Sequence, residues 1–225
     1  MDESSEQSVM SDRVSFKGYT IVSCGVMRPE IERLKQEGFL DADRILYTAP
    51  GLHEWPWKLE EQLPRRLRSA RQVSEKIIVL YGEKCFIDLH NPFRMTDALI
   101  QENCPEAFRI NASKCVDMLA SAGERDQISE GSKIYWLTPG WLEYWDFIFK
   151  DWDVGLANET FPHHDKALVL DTLGYFDELV EKSPEKILEI SDWMKLPIEA
   201  FALTLDRLKR LLAEAVIPKA NQEVG

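Results

Sequence analysis

The chain has 225 residues, with 39 acidic against 27 basic side chains and a formal charge of −12 with histidine neutral. Apolar residues make up 44%, enough for a core, which excludes disorder for most of the chain. The negative excess repels phosphate backbones and anionic lipid, and no run of about 18 uncharged apolar residues is available to span a bilayer; neither nucleic acid nor a membrane is an expected partner.

Residues 1–16 lack periodicity. The first twelve are polar and acidic, without the basic start and apolar run of a secretory signal, so a loose tail on a cytoplasmic protein is expected. Short apolar runs then alternate with amphipathic stretches, the pattern of β-α units. The spacing predicts a strand over 19–23 and a helix over 29–37, with Pro29 suited to its first turn and Gly38 to its end. A second strand over 44–48 leads through the loop 49–53 into a helix over 56–74, irregular at Pro64, which lacks an N–H. Residues 76–81 are a β-branched run ended by Gly82, as in a buried parallel strand.

A helix over 96–102, a strand over 107–110 and a helix over 113–121 follow. Next come a strand over 133–137, an aromatic helix over 141–152 and a run over 167–171 that suits either a sixth strand or the start of a helix, read as a strand because Gly174 follows so soon. Beyond Tyr175 the pattern is helical, with 184–194 and 198–216 amphipathic; Phe201, Leu205, Leu208, Leu211 and Leu212 keep helical spacing. The expectation is α/β: a mostly parallel sheet of about five or six strands flanked by helices. The tail covers 1–16, the α/β domain 17–175, and a helical C-terminal extension packed on it 176–225.

Four cysteines are present: Cys24, Cys85, Cys104 and Cys115. Structural disulfides are not expected in a reducing compartment, which leaves buried thiols, metal ligands or a nucleophile. In parallel α/β sheets, ligands bind beyond the carboxyl ends of the strands. Cys24, His53, Cys85 and Cys115 each follow one of four successive predicted strands, at the same sheet edge. Three thiolates and an imidazole suit a tetrahedral zinc ion, and three thiolates equally suit an iron–sulfur cluster. No C-x-x-C pair is present, and the plainer reading is that each cysteine is a small buried apolar residue. A third reading makes Cys24, ahead of a helix, a nucleophile activated by the helix dipole. Cys104 lies in a connection away from that edge.

Trp136, Trp141, Tyr144, Trp145, Phe147, Phe149 and Trp152 form an aromatic stretch. Core packing is its ordinary use; stacking on a planar macrocycle or a partner is the alternative. Pro162-His163-His164-Asp165 reads as a surface loop, and Arg65, Arg66, Arg68 and Arg71 as a solvated helix face. Phosphate-binding, dinucleotide-binding, serine-hydrolase and zincin motifs are absent. Between residues 141 and 199 there are 14 acidic and 5 basic side chains, so this stretch holds −9 of the total charge.

The phrases Cys24-Gly25-Val26 with Glu30, Leu52-His53 with Pro56 and Leu59, Tyr81-Gly82 with Cys85, Cys115 with Leu119, and Leu137-Thr138-Pro139-Gly140-Trp141 carry a resemblance. Over about 19–175 the chain resembles an uncharacterised domain-of-unknown-function family of anaerobic bacteria and methanogenic archaea, often encoded near corrinoid-dependent methyltransferases. It departs from that pattern after Cys85, where Phe86-Ile87-Asp88 replaces a glycine-rich continuation. The resemblance implies one-carbon metabolism, with Cys24, Cys85 and Cys115 holding zinc or an iron–sulfur cluster. His53 would be a fourth ligand or a nearby acid/base, and His53 and Trp141 would lie toward a corrinoid. The partner implied is a corrinoid protein or methyltransferase, and a homodimer is left open. The rivals are a cofactor-free enzyme using Cys24 and a non-enzymatic module docking its partner through the acidic helices.

Overall fold

The two strongest apolar runs of the N-terminal half become neighbours. Tyr19–Ser23 (β1) and Lys76–Leu80 (β3) pair in parallel, with Ile21 opposite Ile78 and Val22 opposite Val79. The computed structural model describes residues 14–217. Arg44–Tyr47 (β2) lies on the other side of β1 and the short Phe108–Arg109 (β4) beyond β3, giving the parallel order β2-β1-β3-β4. Both β1 and β3 are buried on the two faces, which is why they read as unbroken apolar runs. The helices Arg28–Gln36 (α1), Pro56–Arg71 (α2) and Thr96–Asn103 (α3) make the crossovers. Pro64 lies inside α2 without ending it, its ring buried with Leu59, Leu63 and Leu67.

The α/β class is as expected, but among the described residues the strands number seven and divide into two parallel sheets. The second has the order β5-β6-β7, from Ile134–Leu137 (β5), Lys166–Asp171 (β6) and Ile198–Ala202 (β7). Residues 198–202 were expected to open a helix; they extend instead along β6, from Ala167 opposite Ile198 to Asp171 opposite Ala202. As an edge strand β7 is mostly exposed, so it lacks the buried alternation that marks a strand. The last helix begins only at Asp206 (Asp206–Val216).

Other elements depart from expectation through local capping. The predicted helix over 113–121 is a 3-10 turn, Cys115–Met118, followed by a separate helix Ala122–Ser129 (α4). Ser121 and Glu124 form a capping box at its start. The aromatic helix over 141–152 is two short ones, Pro139–Glu143 (α5) and Trp145–Ile148 (α6), broken at Tyr144. Val154–Thr160 (α7) was not expected; the Asp153 carboxylate accepts the Leu156 N–H at 2.8 Å to start it. Tyr175–Lys182 (α8) and Pro184–Met194 (α9) connect β6 to β7, and Asp206–Val216 is α10. The predicted tail lies outside the described residues up to residue 13; its last residue, Phe16, is fully buried.

One hydrophobic core runs through both sheets. The turn after β5 sits directly on the turn after β1: a Cβ on Gly140 would stand 1.8 Å from the Val26 carbonyl oxygen. The helix α10 buries Leu208, Leu211 and Leu212, and its Arg207 Nε donates to the Asp117 carbonyl at 2.6 Å. Among the described residues no helix is long and apolar enough to cross a membrane.

Candidate functional site

Strand order concentrates the chemistry. The chain leaves β1 for β2 on one side, then crosses back to β3 on the other, so the β1/β3 boundary is where the winding reverses. Ligand sites of open α/β sheets form at such a boundary, beyond the strand ends. Each of the four strands is followed by a 3-10 turn at that end: Gly25–Met27, Leu52–Glu54, Glu83–Cys85 and Cys115–Met118. Cys24 immediately precedes the first, His53 lies in the second, Cys85 ends the third and Cys115 begins the fourth.

The loops after β3 and β4 are joined to each other. Glu83 N–H donates to the Ala112 carbonyl and Lys84 N–H to the Ser113 carbonyl, each at 2.9 Å. Gly82 permits this approach, because a Cβ there would lie 2.5 Å from the Ser113 oxygen and the Lys114 Cα. Arg109 braces the same loops, donating to the carbonyls of Ile110 at 2.7 Å and Ala112 at 2.8 Å. As a result the Cys85 and Cys115 sulfurs stand 3.3 Å apart. Cys24 is near enough to both for its charge to bear on their titration.

All four cysteines are free and buried. Hydrogen bonding from Cys115 outweighs burial and holds the Cys24 pKa down at about 6, with the His53 charge and the Tyr81 hydroxyl helping. The hydrogen bond between Cys85 and Cys115 likewise lowers the Cys85 pKa. The pKa of Cys115 itself is pushed well up by Cys24, Cys85 and burial. For His53, partial burial works to lower the pKa, but the hydrogen bond and charge of Glu54 and the nearby Cys85 and Cys24 raise it overall. Its Nε2 lies 3.1 Å from Glu54 Oε1, and its side chain is 35% exposed, which makes it the solvent-facing member of the group.

The residues singled out in the sequence therefore separate. Cys24, Cys85, Cys115 and His53 come together. Cys104 stays apart, its pKa pushed up to about 11 by burial and by Glu106. Trp141 is 5% exposed, with its ring edge-on to His53 at 5.3 Å and tilted on Phe149 at 5.5 Å. It supports the imidazole from behind, and the core cluster of Trp145, Phe149, Trp152, Phe161 and Trp193 continues from it. His164 packs against Tyr135, apart from the thiols. On α2, Arg65 pairs with Glu61, and Arg71 with Glu106.

Thr48 and Glu54 were not singled out, and Tyr81 entered only as part of a family phrase, without a role. Burial and the Cys24 charge hold the Tyr81 pKa well up, and its hydroxyl is hydrogen-bonded to Thr48 Oγ1. Tyr81 and Thr48 each directly follow a strand, so the rule that found the cysteines also applies to them.

The donor set is soft, and its closest sulfur pair, at 3.3 Å, lies within about half an ångström of the roughly 3.8 Å that tetrahedral Zn–S bonds of about 2.3 Å require. In their present positions, no group of three or more His, Cys, Asp or Glu among the described residues has the geometry to hold an ion. The chemistry of the donors thus fits a thiophilic metal, and ligation would require the thiols to deprotonate and the Cys85–Cys115 pair to open by about half an ångström.

No curated protein and no solved structure matches the chain. The family that does match is DUF1638, described as a protein of unknown function. The match covers residues 47–212, taking in His53, Cys85, Cys115 and the C-terminal helices but starting after Cys24. With well over half of the 225 residues covered, the chain belongs to the DUF1638 family.

Proposed function

We propose that this protein binds a thiophilic metal through Cys24, Cys85 and Cys115, zinc in preference to an iron–sulfur cluster, and acts in corrinoid-dependent methyl transfer or one-carbon metabolism. The observation that carries the reading is the meeting of three buried thiols from three different strand ends, two of them 3.3 Å apart. Such closeness favours a single ion, because the ligands of a cluster bind separate irons and stand farther apart. When bound, the ion supplies Lewis acidity toward a substrate thiol or methylated group.

The protein's own groups have separate tasks. Tyr81, held by Thr48, helps to keep the Cys24 pKa down. His53, oriented by Glu54 and backed by Trp141, is the solvent-facing acid/base or fourth ligand. The corrinoid context rests on the family resemblance, and the partner proposed is a corrinoid protein or methyltransferase that brings its cofactor to the His53 side. Metal analysis of anaerobically purified protein tests this reading. About one equivalent of zinc, lost in Cys85→Ser, is expected; less than about 0.2 equivalents of zinc, iron or cobalt, unchanged by the substitution, would contradict it.

A second reading is favoured by the place of Cys24 directly ahead of the Gly25–Met27 turn, where hydrogen bonding also lowers its thiol pKa, as for a candidate nucleophile. Its burial, at 2% exposure, works against this use. Selective alkylation of Cys24 in metal-free protein, ahead of Cys85 and Cys115, would support it.

A further inference from the structure

The short sulfur–sulfur contact has a chemical consequence of its own. Cys85 and Cys115 are the most exposed of the four thiols, at 7% and 9%, against 2% for Cys24 and none for Cys104. Each sits at the terminus of a short 3-10 turn, Cys85 the last residue of one and Cys115 the first of the other. The backbone bonds between the Gly82–Lys84 and Ala112–Lys114 loops hold the two turns in register. A disulfide needs its sulfurs about 2.05 Å apart, so closing from 3.3 Å asks for about 1.3 Å of movement shared between two side chains.

We infer that Cys85 and Cys115 are a redox pair, closed to a disulfide by a hydroperoxide and reopened by a dithiol. In the first step the sulfur of one cysteine attacks a peroxide oxygen. The O–O bond breaks, a sulfenic acid forms, and the second oxygen leaves as water or an alcohol. In the second, the neighbouring sulfur displaces the sulfenic oxygen as water, and the S–S bond forms. The sulfur pair gives up two electrons and the peroxide takes two. Cys24 stays reduced, and Cys104, away from the cluster, takes no part. The consequence for metal rests on the reading above: a closed pair withdraws two of the three ligands, so oxidation and metal binding exclude one another.

The test uses the full chain, reduced and freed of metal by a chelator, treated with hydrogen peroxide and mapped by mass spectrometry after alkylation and digestion. A peptide pair joined through Cys85 and Cys115, lighter by two hydrogens and released by dithiothreitol, is expected. Cys104→Ser leaves that link in place and Cys115→Ser abolishes it; the wild-type map decides the matter even if the latter variant does not fold. Cys85 and Cys115 recovered unlinked, or linked to Cys24 or Cys104, would overturn the inference. Zinc added beforehand is expected to slow linkage by about tenfold or more. A link that forms in protein unable to bind zinc would leave the pair standing and remove the metal reading; zinc binding without a link would do the reverse.

Discussion

A fully buried carboxyl with no well-formed hydrogen bond works against folding, and Glu30 is such a group. Neither of its oxygens has a partner, burial pushes its pKa up to about 8, and the charges of Glu143 and Asp171 push the same way. In the unfolded chain it ionises near 4.5, so between pH 4.5 and 8 the folded state holds the extra proton and stability falls as pH rises, levelling off above 8. Thermal melts should show this fall in the wild type and a flatter profile in Glu30→Gln. Glu30→Met should be the more stable protein at pH 8 by roughly 1–3 kcal/mol. Parallel pH profiles for wild type and Glu30→Gln would rule out the unpaired buried charge. Residues of this kind are hard to read from sequence, since Glu30 occupies an ordinary helical position and only the later packing of α5 over α1 closes it off. The cysteines were legible because they need only the strand ends to be known. Tyr81 and Thr48 matter through a contact across strands, which the order β2-β1-β3 creates, and Glu54 matters through its neighbour His53.

Among the elements, the turn residues decide how the parts fit. Gly140 leaves no room for a methyl group against the Val26 carbonyl, and the three atoms nearest that position are all Val26 backbone. Gly140→Ala should therefore destabilise the protein by about 3 kcal/mol or more, measured by denaturant unfolding. Gly123, in α4 with nothing within 4 Å, is the matched control; Gly123→Ala should be neutral or stabilising by up to about 1 kcal/mol. Equal effects at the two sites would show that the turns after β1 and β5 do not meet. Arg207 is the tie from α10 to the Cys115 turn, donating to the Asp117 carbonyl while Arg125 pairs with the Asp117 carboxylate. Arg207→Ala should weaken metal binding several-fold with helix content unchanged, an effect checked by zinc competition. Of these elements, β1, β3 and the first three helices could be read from periodicity, whereas the run of β6 suited strand or helix and only the following Gly174 pointed to the strand. The helix α4 was announced by Ser121 and Glu124, a capping box that the stronger apolar run before it obscured. The strand β7 carried no such mark, because Glu199, Ala200 and Ala202 have little strand preference and the pairing with β6 decides their conformation.

Across the whole molecule, the division into two sheets follows from pairings distant in sequence, which no local pattern encodes. The two-residue β4 ends the first sheet, and β5 starts a second against β6. The charge separates along the same line, with −9 of the −12 in residues 141–199, most of them belonging to the second sheet and its helices. The thiol cluster lies on the first sheet, at its reversal of winding, and the second sheet contributes Trp141 behind His53. That arrangement makes a thiolate-bound ion the central claim. Titration of the reduced, metal-free chain with cobalt(II) tests it most directly, read by the near-ultraviolet charge-transfer band that thiolate ligation produces. Saturation near one equivalent is predicted, with the band diminished in Cys24→Ser, Cys85→Ser and Cys115→Ser and retained in Cys104→Ser. No band in the wild type, or the same band in all four variants, would contradict the account.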